Sequence, residues 1–137
     1  MRLVFGEKDA PYEEARVVVL PVPYDLSLSF LPGARRGPEA ILLASRELEP
    51  FLLELGAAPE EVGIHAAEPV PWVAGMAEES HRLIREEALK HLRAGKWLVA
   101  LGGDHSVTHP LVQAHREALG ESSPPPVDAP ADLHPQW

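Results

Sequence analysis

The stretch KWLVALGGDHSVTHPLV, Lys96 to Val112, decides the fold. Lys96 to Leu101 is apolar at nearly every position, without the alternation of a half-exposed strand. A run of this kind suits a strand buried on both faces in a parallel sheet covered by helices. Gly102 and Gly103 break the strand and let the backbone turn sharply. Ser106 or Thr108 can cap the next helix. Pro110 then lies in the first turn, where its missing N–H costs nothing, and Gly120 ends the helix after Leu119. In an open α/β sheet, ligands bind beyond the carboxyl ends of the strands, and Asp104 and His105 stand there. The plainer alternative is a glycine turn leading into an ordinary helix cap, with His105 a satisfied loop histidine.

Upstream, Arg16 to Val22 (RVVVLPV) is a second apolar, β-branched run and is expected to be a buried strand. Tyr24 to Gly37 reads as a loop, because turn formers dominate it. Pro38 suits the first turn of a helix running over Glu39 to Leu48. Glu61 to Ala67 is a weaker strand candidate, and Glu68 to Gly75 a loop. Met76 to Ala94 is the clearest helix. Ile84, Ala88 and Leu92 recur every four residues as a buried stripe, Glu78–Arg82 and Glu86–Lys90 form i,i+4 pairs on the wet side, and Gly95 stops it. His81 and His91 on this helix, His109 and His115 on the next, and His65 read as ordinary scattered histidines. Strand–helix–strand–helix order implies a doubly wound α/β layer with right-handed crossovers.

Composition narrows the function. The chain has 137 residues, no Cys and a formal charge of −9. Without cysteine it holds neither a disulfide nor a thiolate metal site. The acidic balance argues against nucleic acid as a partner, and no apolar run approaches a membrane span. Met1 to Ala10 lacks the apolar core of a signal peptide. A soluble cytoplasmic protein is the expectation.

A second polar cluster, Asp128-Ala129-Pro130-Ala131-Asp132, falls in Val127 to Leu133, which reads as the end of a third strand and the loop after it. Two carboxylates four apart on a strand-end loop can converge on a hard cation, and manganese accepts both such oxygens and imidazole. Alone, the cluster reads equally as a solvated acidic turn. Beside the glycine–Asp–His turn it makes His105, Asp128 and Asp132 a plausible mixed nitrogen and oxygen set.

These residues carry a resemblance. LGGDHSVTHPLV (Leu101 to Val112) resembles the Gly-Gly-Asp-His-Ser segment of the ureohydrolases, the arginases and agmatinases, and VDAPADL (Val127 to Leu133) resembles their Asp-Ala-His-x-Asp segment. LPVPYDLSLSFLPGARRGPEAILLAS (Leu20 to Ser45) resembles the loop and helix of agmatinases in particular. The resemblance implies a three-layer α/β/α fold with a parallel sheet, like the N-terminal half of the arginase-like fold, with residues 1–137 a single truncated domain. It also implies two manganese ions and a metal-bridging hydroxide that attacks the guanidinium carbon, turning agmatine into putrescine and urea. Carried over, His105 binds one metal, Asp128 bridges both, and Asp132 binds the same metal as His105. Asp104 supports the turn from behind the ligands, and Arg35 has a structural or assembly role.

The sequence departs from the pattern at Pro130, which stands where the family has a histidine between the paired aspartates and offers no side-chain ligand. The family's later Asp-x-Asp pair does not occur in these 137 residues, so three of the six implied protein ligands are present. The expectation is an agmatinase-like chain that is inactive as this isolated polypeptide and holds at most one ion weakly. The alternative is a non-catalytic homologue that acts as a folding or assembly unit. A homo-oligomer is expected too, because the last strand would be left as an open edge.

Overall fold

The computed structural model describes residues 3–25, 31–49 and 51–120. Three strands form one parallel sheet. β1 (Val17–Val22) lies between β2 (Ile64–Ala66) and β3 (Trp97–Gly102). Val17 pairs with Ile64 on one side and Trp97 on the other, and the β1–β3 ladder runs on to Val22 opposite Gly102. Successive strand side chains point to opposite faces. Val18, Val19, Leu20 and Val22 are all buried, so both faces of β1 are covered. The chain passes from β1 to β2, then back across β1 to β3. Right-handed crossovers in opposite directions place the connecting helices on opposite faces of the sheet. This is the α/β arrangement expected from the two apolar runs.

The helices are α1 (Gly37–Ala44), α2 (Ala77–Arg93) and α3 (Thr108–Leu119). Pro38 occupies the first turn of α1, where its fixed φ fits and no N–H is needed. The α2 stripe is realised: Ile84 and Ala88 are fully buried and Leu92 nearly so, packed with Leu20 and Val22 of β1 and Ala114 of α3. Gly95 ends α2 at φ 75°, its N–H donating to the Leu92 carbonyl, a left-handed position that glycine occupies without steric cost. No helix among the described residues is long and apolar enough to cross a membrane.

Local details differ from the sequence reading. The first α-helix ends at Ala44 and tightens into a 3-10 turn over Ser45–Glu47. Arg82 pairs with Glu79 and Glu86 rather than Glu78, and Lys90 pairs with Glu87 rather than Glu86, because i,i+3 and i,i+4 partners compete at similar range. The α3 segment is capped by Asp104, not Ser106 or Thr108, because a 3-10 turn over His105–Val107 precedes the helix. The apolar run of β3 predicts burial on both faces. Leu98 and Ala100 do pack on the core, but Trp97 is 78% and Val99 46% exposed. The reason is position: among the described residues β3 is an edge strand, paired only with β1.

His91, an ordinary scattered histidine on a charged helix in the sequence, is buried there, 3% exposed. Its Nδ1 shares a hydrogen bond of 3.0 Å with the Tyr12 hydroxyl. Tyr12 packs edge-on against His65, whose Nδ1 donates to the Ala10 carbonyl and lies 3.3 Å from Asp9. Lys96 donates to the carbonyls of Tyr12 and Ala15. Together these contacts fasten the segment before β1 beneath the sheet.

Burial, with Lys90 nearby, holds the His91 imidazole below its ordinary value of 6.5. A histidine whose folded pKa is depressed contributes its stability above the unfolded value and loses it as pH falls below. The expected result is a urea midpoint that drops between pH 7 and pH 5, with a smaller drop in His91→Gln. An equal drop in both proteins contradicts this account.

Candidate metal centre

The carboxyl ends of β1 and β3 meet closely, and this contact sets the site. The Asp104 N–H donates to the Tyr24 carbonyl at 2.8 Å. A Cβ on Gly103 would lie 2.5 Å from the Tyr24 oxygen, 2.7 Å from the Tyr24 nitrogen and 2.8 Å from the Val22 oxygen. Only glycine lets these backbones approach so closely. Gly37, at the start of α1, packs against the Gly102 carbonyl from another direction. The turn is therefore clamped by β1 and α1 before any side chain acts.

Asp104 then fixes the entry to α3. Its Oδ1 accepts from the Ser106 N–H at 3.0 Å and from the Ser106 hydroxyl. The carboxylate satisfies donors at the helix entry and favours its positive end. His105 is presented by this capped turn as an exposed side chain, with Thr108 Oγ1 3.4 Å from its Nδ1. Both residues line a cavity of about 1030 Å³ that runs along β3 toward Trp97, with His115 of α3 on its wall.

Asp128 and Asp132 lie outside the described residues, as does Pro130. The described part of the candidate set is thus His105 on its buttressed turn, and no three metal-binding side chains converge among the described residues. An exposed imidazole on a rigid turn at a strand end suits a borderline divalent ion, and a carboxylate behind it suits a support for that ligand.

Sequence reasoning missed Asp25. It follows β1 at the same end of the sheet, and its carboxylate accepts from the N–H groups of Gly33 (3.1 Å) and Arg35 (2.7 Å). It holds the loop that starts α1, while the Arg35 guanidinium reaches over the Trp72 ring at 5.5 Å. Its position directly after a strand end was the available signal. His81 is half-buried on α2, and burial, with His109 nearby, holds its imidazole below the ordinary value.

Comparison with known proteins adds to this geometry. The sequence matches the arginase family over residues 15–137. It is 95% identical over all 137 residues to an N(1)-aminopropylagmatine ureohydrolase of Thermus thermophilus, covering 47% of that protein. The chain thus spans about half the length of the curated relatives it matches. A crystal structure of a hypothetical agmatinase from Burkholderia thailandensis superimposes with a TM-score of 0.73 at 31% identity, over 80% of this chain and 36% of the other. A variant of Trypanosoma cruzi formiminoglutamase, solved with manganese, superimposes with a TM-score of 0.69 at 25% identity over 78% of this chain and 37% of the other. A parallel sheet in the order β2-β1-β3, a glycine–Asp–His turn at its carboxyl end and a match over most of the sequence agree: the chain belongs to the arginase family.

Proposed function

We propose that His105, with Asp128 and Asp132, forms part of the manganese centre of a ureohydrolase that cleaves a guanidino compound into urea and an amine. The observation that carries this reading is the exposed imidazole of His105 on a turn locked by Gly103 and capped by Asp104. Manganese bound there would supply Lewis acidity and an activated water. The chain's own contribution is positional. Asp104 holds the turn that aims His105, Asp25 holds the adjoining loop, and the β1–β3 contact prevents either from drifting. Support of this kind from behind the ligands sharpens metal affinity.

The two aspartates complete a nitrogen and oxygen donor set that manganese accepts. Pro130 contributes no donor, so these 137 residues are proposed to hold one ion weakly and to turn over little or no substrate on their own. The relative with 95% identity is named for N(1)-aminopropylagmatine. That compound, rather than agmatine itself, is the proposed guanidino substrate of the assembled enzyme.

The test is urea release with added manganese from N(1)-aminopropylagmatine and from agmatine, using both the 137-residue chain and the same sequence within a full-length family member. The full-length protein is expected to release urea faster from the aminopropyl compound and to lose activity in His105→Asn. Undiminished activity in that variant removes the reading.

A further inference from the structure

The carboxyl end of the sheet carries an exposed aromatic ring that the proposed metal centre does not use. After β2 the chain keeps to the edge of β1 and moves toward its carboxyl end. The Ala67 N–H donates to the Val19 carbonyl, and the Val70 N–H to the Pro21 carbonyl. The buried Tyr24 then joins two parts of this end. Its hydroxyl donates to the Pro71 carbonyl, and its own carbonyl accepts from the Asp104 N–H. One fixed residue therefore stands between the segment that carries Trp72 and the turn that presents His105. Trp72 is 44% exposed, and the Arg35 guanidinium lies over its ring, 5.5 Å from the centroid. We propose that Trp72 is a specificity-determining residue, whose ring face receives the cationic amine tail of the guanidino substrate once Arg35 swings aside. This rests on the reading of His105 as part of the metal centre.

Reach supports the assignment. N(1)-aminopropylagmatine, the compound for which the relative with 95% identity is named, differs from agmatine only in its longer tail. Extended, it measures roughly 12 Å from the guanidinium carbon to the terminal amine, against roughly 7 Å in agmatine. β1 lies between β3 and β2, so the ends of those two strands are two strand spacings apart, roughly 10 Å. A guanidinium held at the β3 end thus brings the terminal amine of the longer compound to the segment after β2. The single amine of agmatine falls short of it.

Charge supports it too. The face of an aromatic ring attracts cations, tryptophan most strongly, and ammonium and guanidinium groups both bind there. Arg35 already uses the Trp72 face in this way. Its side chain is not what holds the loop. The hydrogen bond to Asp25 comes from the Arg35 backbone N–H at 2.7 Å, whereas the guanidinium is half-exposed and lies 3.9 Å from that carboxylate. The side chain can therefore leave the ring while the loop stays in place. Glu68, exposed on the same segment as Trp72, adds negative charge at this end of the sheet, which favours a cationic tail.

The test uses a full-length family member that carries this sequence, with added manganese. Urea release is measured from N(1)-aminopropylagmatine and from agmatine in the unsubstituted protein, Trp72→Ala, Trp72→Phe and Arg35→Ala. The readout is the ratio of kcat/KM for the two compounds, which does not depend on how much of a preparation is folded. Trp72→Ala is expected to lower the preference for the aminopropyl compound by roughly fivefold, mainly through KM. Trp72→Phe keeps an aromatic face and is expected to retain most of the preference. Arg35→Ala opens the face and is expected to raise it. A preference unchanged in Trp72→Ala, or lowered alike in Trp72→Ala and Arg35→Ala as for a purely structural contact, overturns the proposal. Urea from neither compound in the unsubstituted protein overturns the metal-centre reading and this proposal with it, whereas a failure of the proposal alone shows only in the ratio.

Discussion

Replacing Gly103 with alanine is expected to destabilise the protein by about 3 kcal/mol, the upper part of the usual range for overpacking. The new methyl would meet three backbone atoms, at 2.5, 2.7 and 2.8 Å, belonging to Tyr24 and Val22. Backbone cannot rotate out of the way as a side chain does. Relief requires parting β1 from β3 at the end where they hold the Asp104 turn, which also releases the hydrogen bond from the Asp104 N–H to the Tyr24 carbonyl. Gly75→Ala is the control. Gly75 has φ +73° and nothing within 4 Å of an added Cβ, so only the left-handed strain of about 1–2 kcal/mol applies. Urea denaturation distinguishes the two. Equal losses at both positions would mean that the close approach at Gly103 is not what constrains the turn.

That turn was legible in the sequence because its determinants are local. A continuous apolar run, two glycines and a helix former with Pro110 in its first turn specify strand, break and helix without reference to the rest of the chain. The stripe of Ile84, Ala88 and Leu92 was legible for the same reason. Features that depend on distant partners were not. His91 is buried because Tyr12, 79 positions away, covers it, and nothing within α2 signals that. β2 falls inside the weak strand candidate Glu61 to Ala67, but its three residues are too few to carry a period that would fix its bounds. Asp25 acts on Gly33 and Arg35, eight and ten positions further on, a contact that spacing does not encode. Asp104 rather than Ser106 caps the helix entry because a 3-10 turn intervenes, which shifts the cap without changing the residue types that suit it. Of the candidate metal ligands, His105 could be placed, whereas Asp128 and Asp132 fall outside the described residues.

The second large effect concerns manganese affinity. His105→Asn removes the only imidazole of the proposed set and is expected to weaken binding by roughly 100-fold. Loss of supporting groups alone costs 10- to 100-fold in metal sites, and a direct ligand costs no less. Asp104→Asn keeps the shape of the cap but removes its charge, and is expected to cost roughly tenfold. Pro130→His should act in the opposite direction. It restores an imidazole between the paired aspartates and is expected to tighten manganese binding by roughly tenfold or more. Calorimetric titration reads all three. If Pro130→His leaves affinity unchanged while His105→Asn abolishes binding, the Asp128–Asp132 segment takes no part in the site.

The glycine–Asp–His turn and the paired aspartates are proposed to share one manganese ion. Manganese is paramagnetic and broadens the magnetic resonance signals of nuclei near it, so titrating it into isotopically labelled protein locates the ion directly. The amide signals of Gly103 to Ser106 and of residues 127–133 are expected to disappear together at the lowest manganese concentrations, and both sets to persist in His105→Asn. Early loss confined to amides of α2 or α3, or loss at 127–133 without loss at His105, would contradict it.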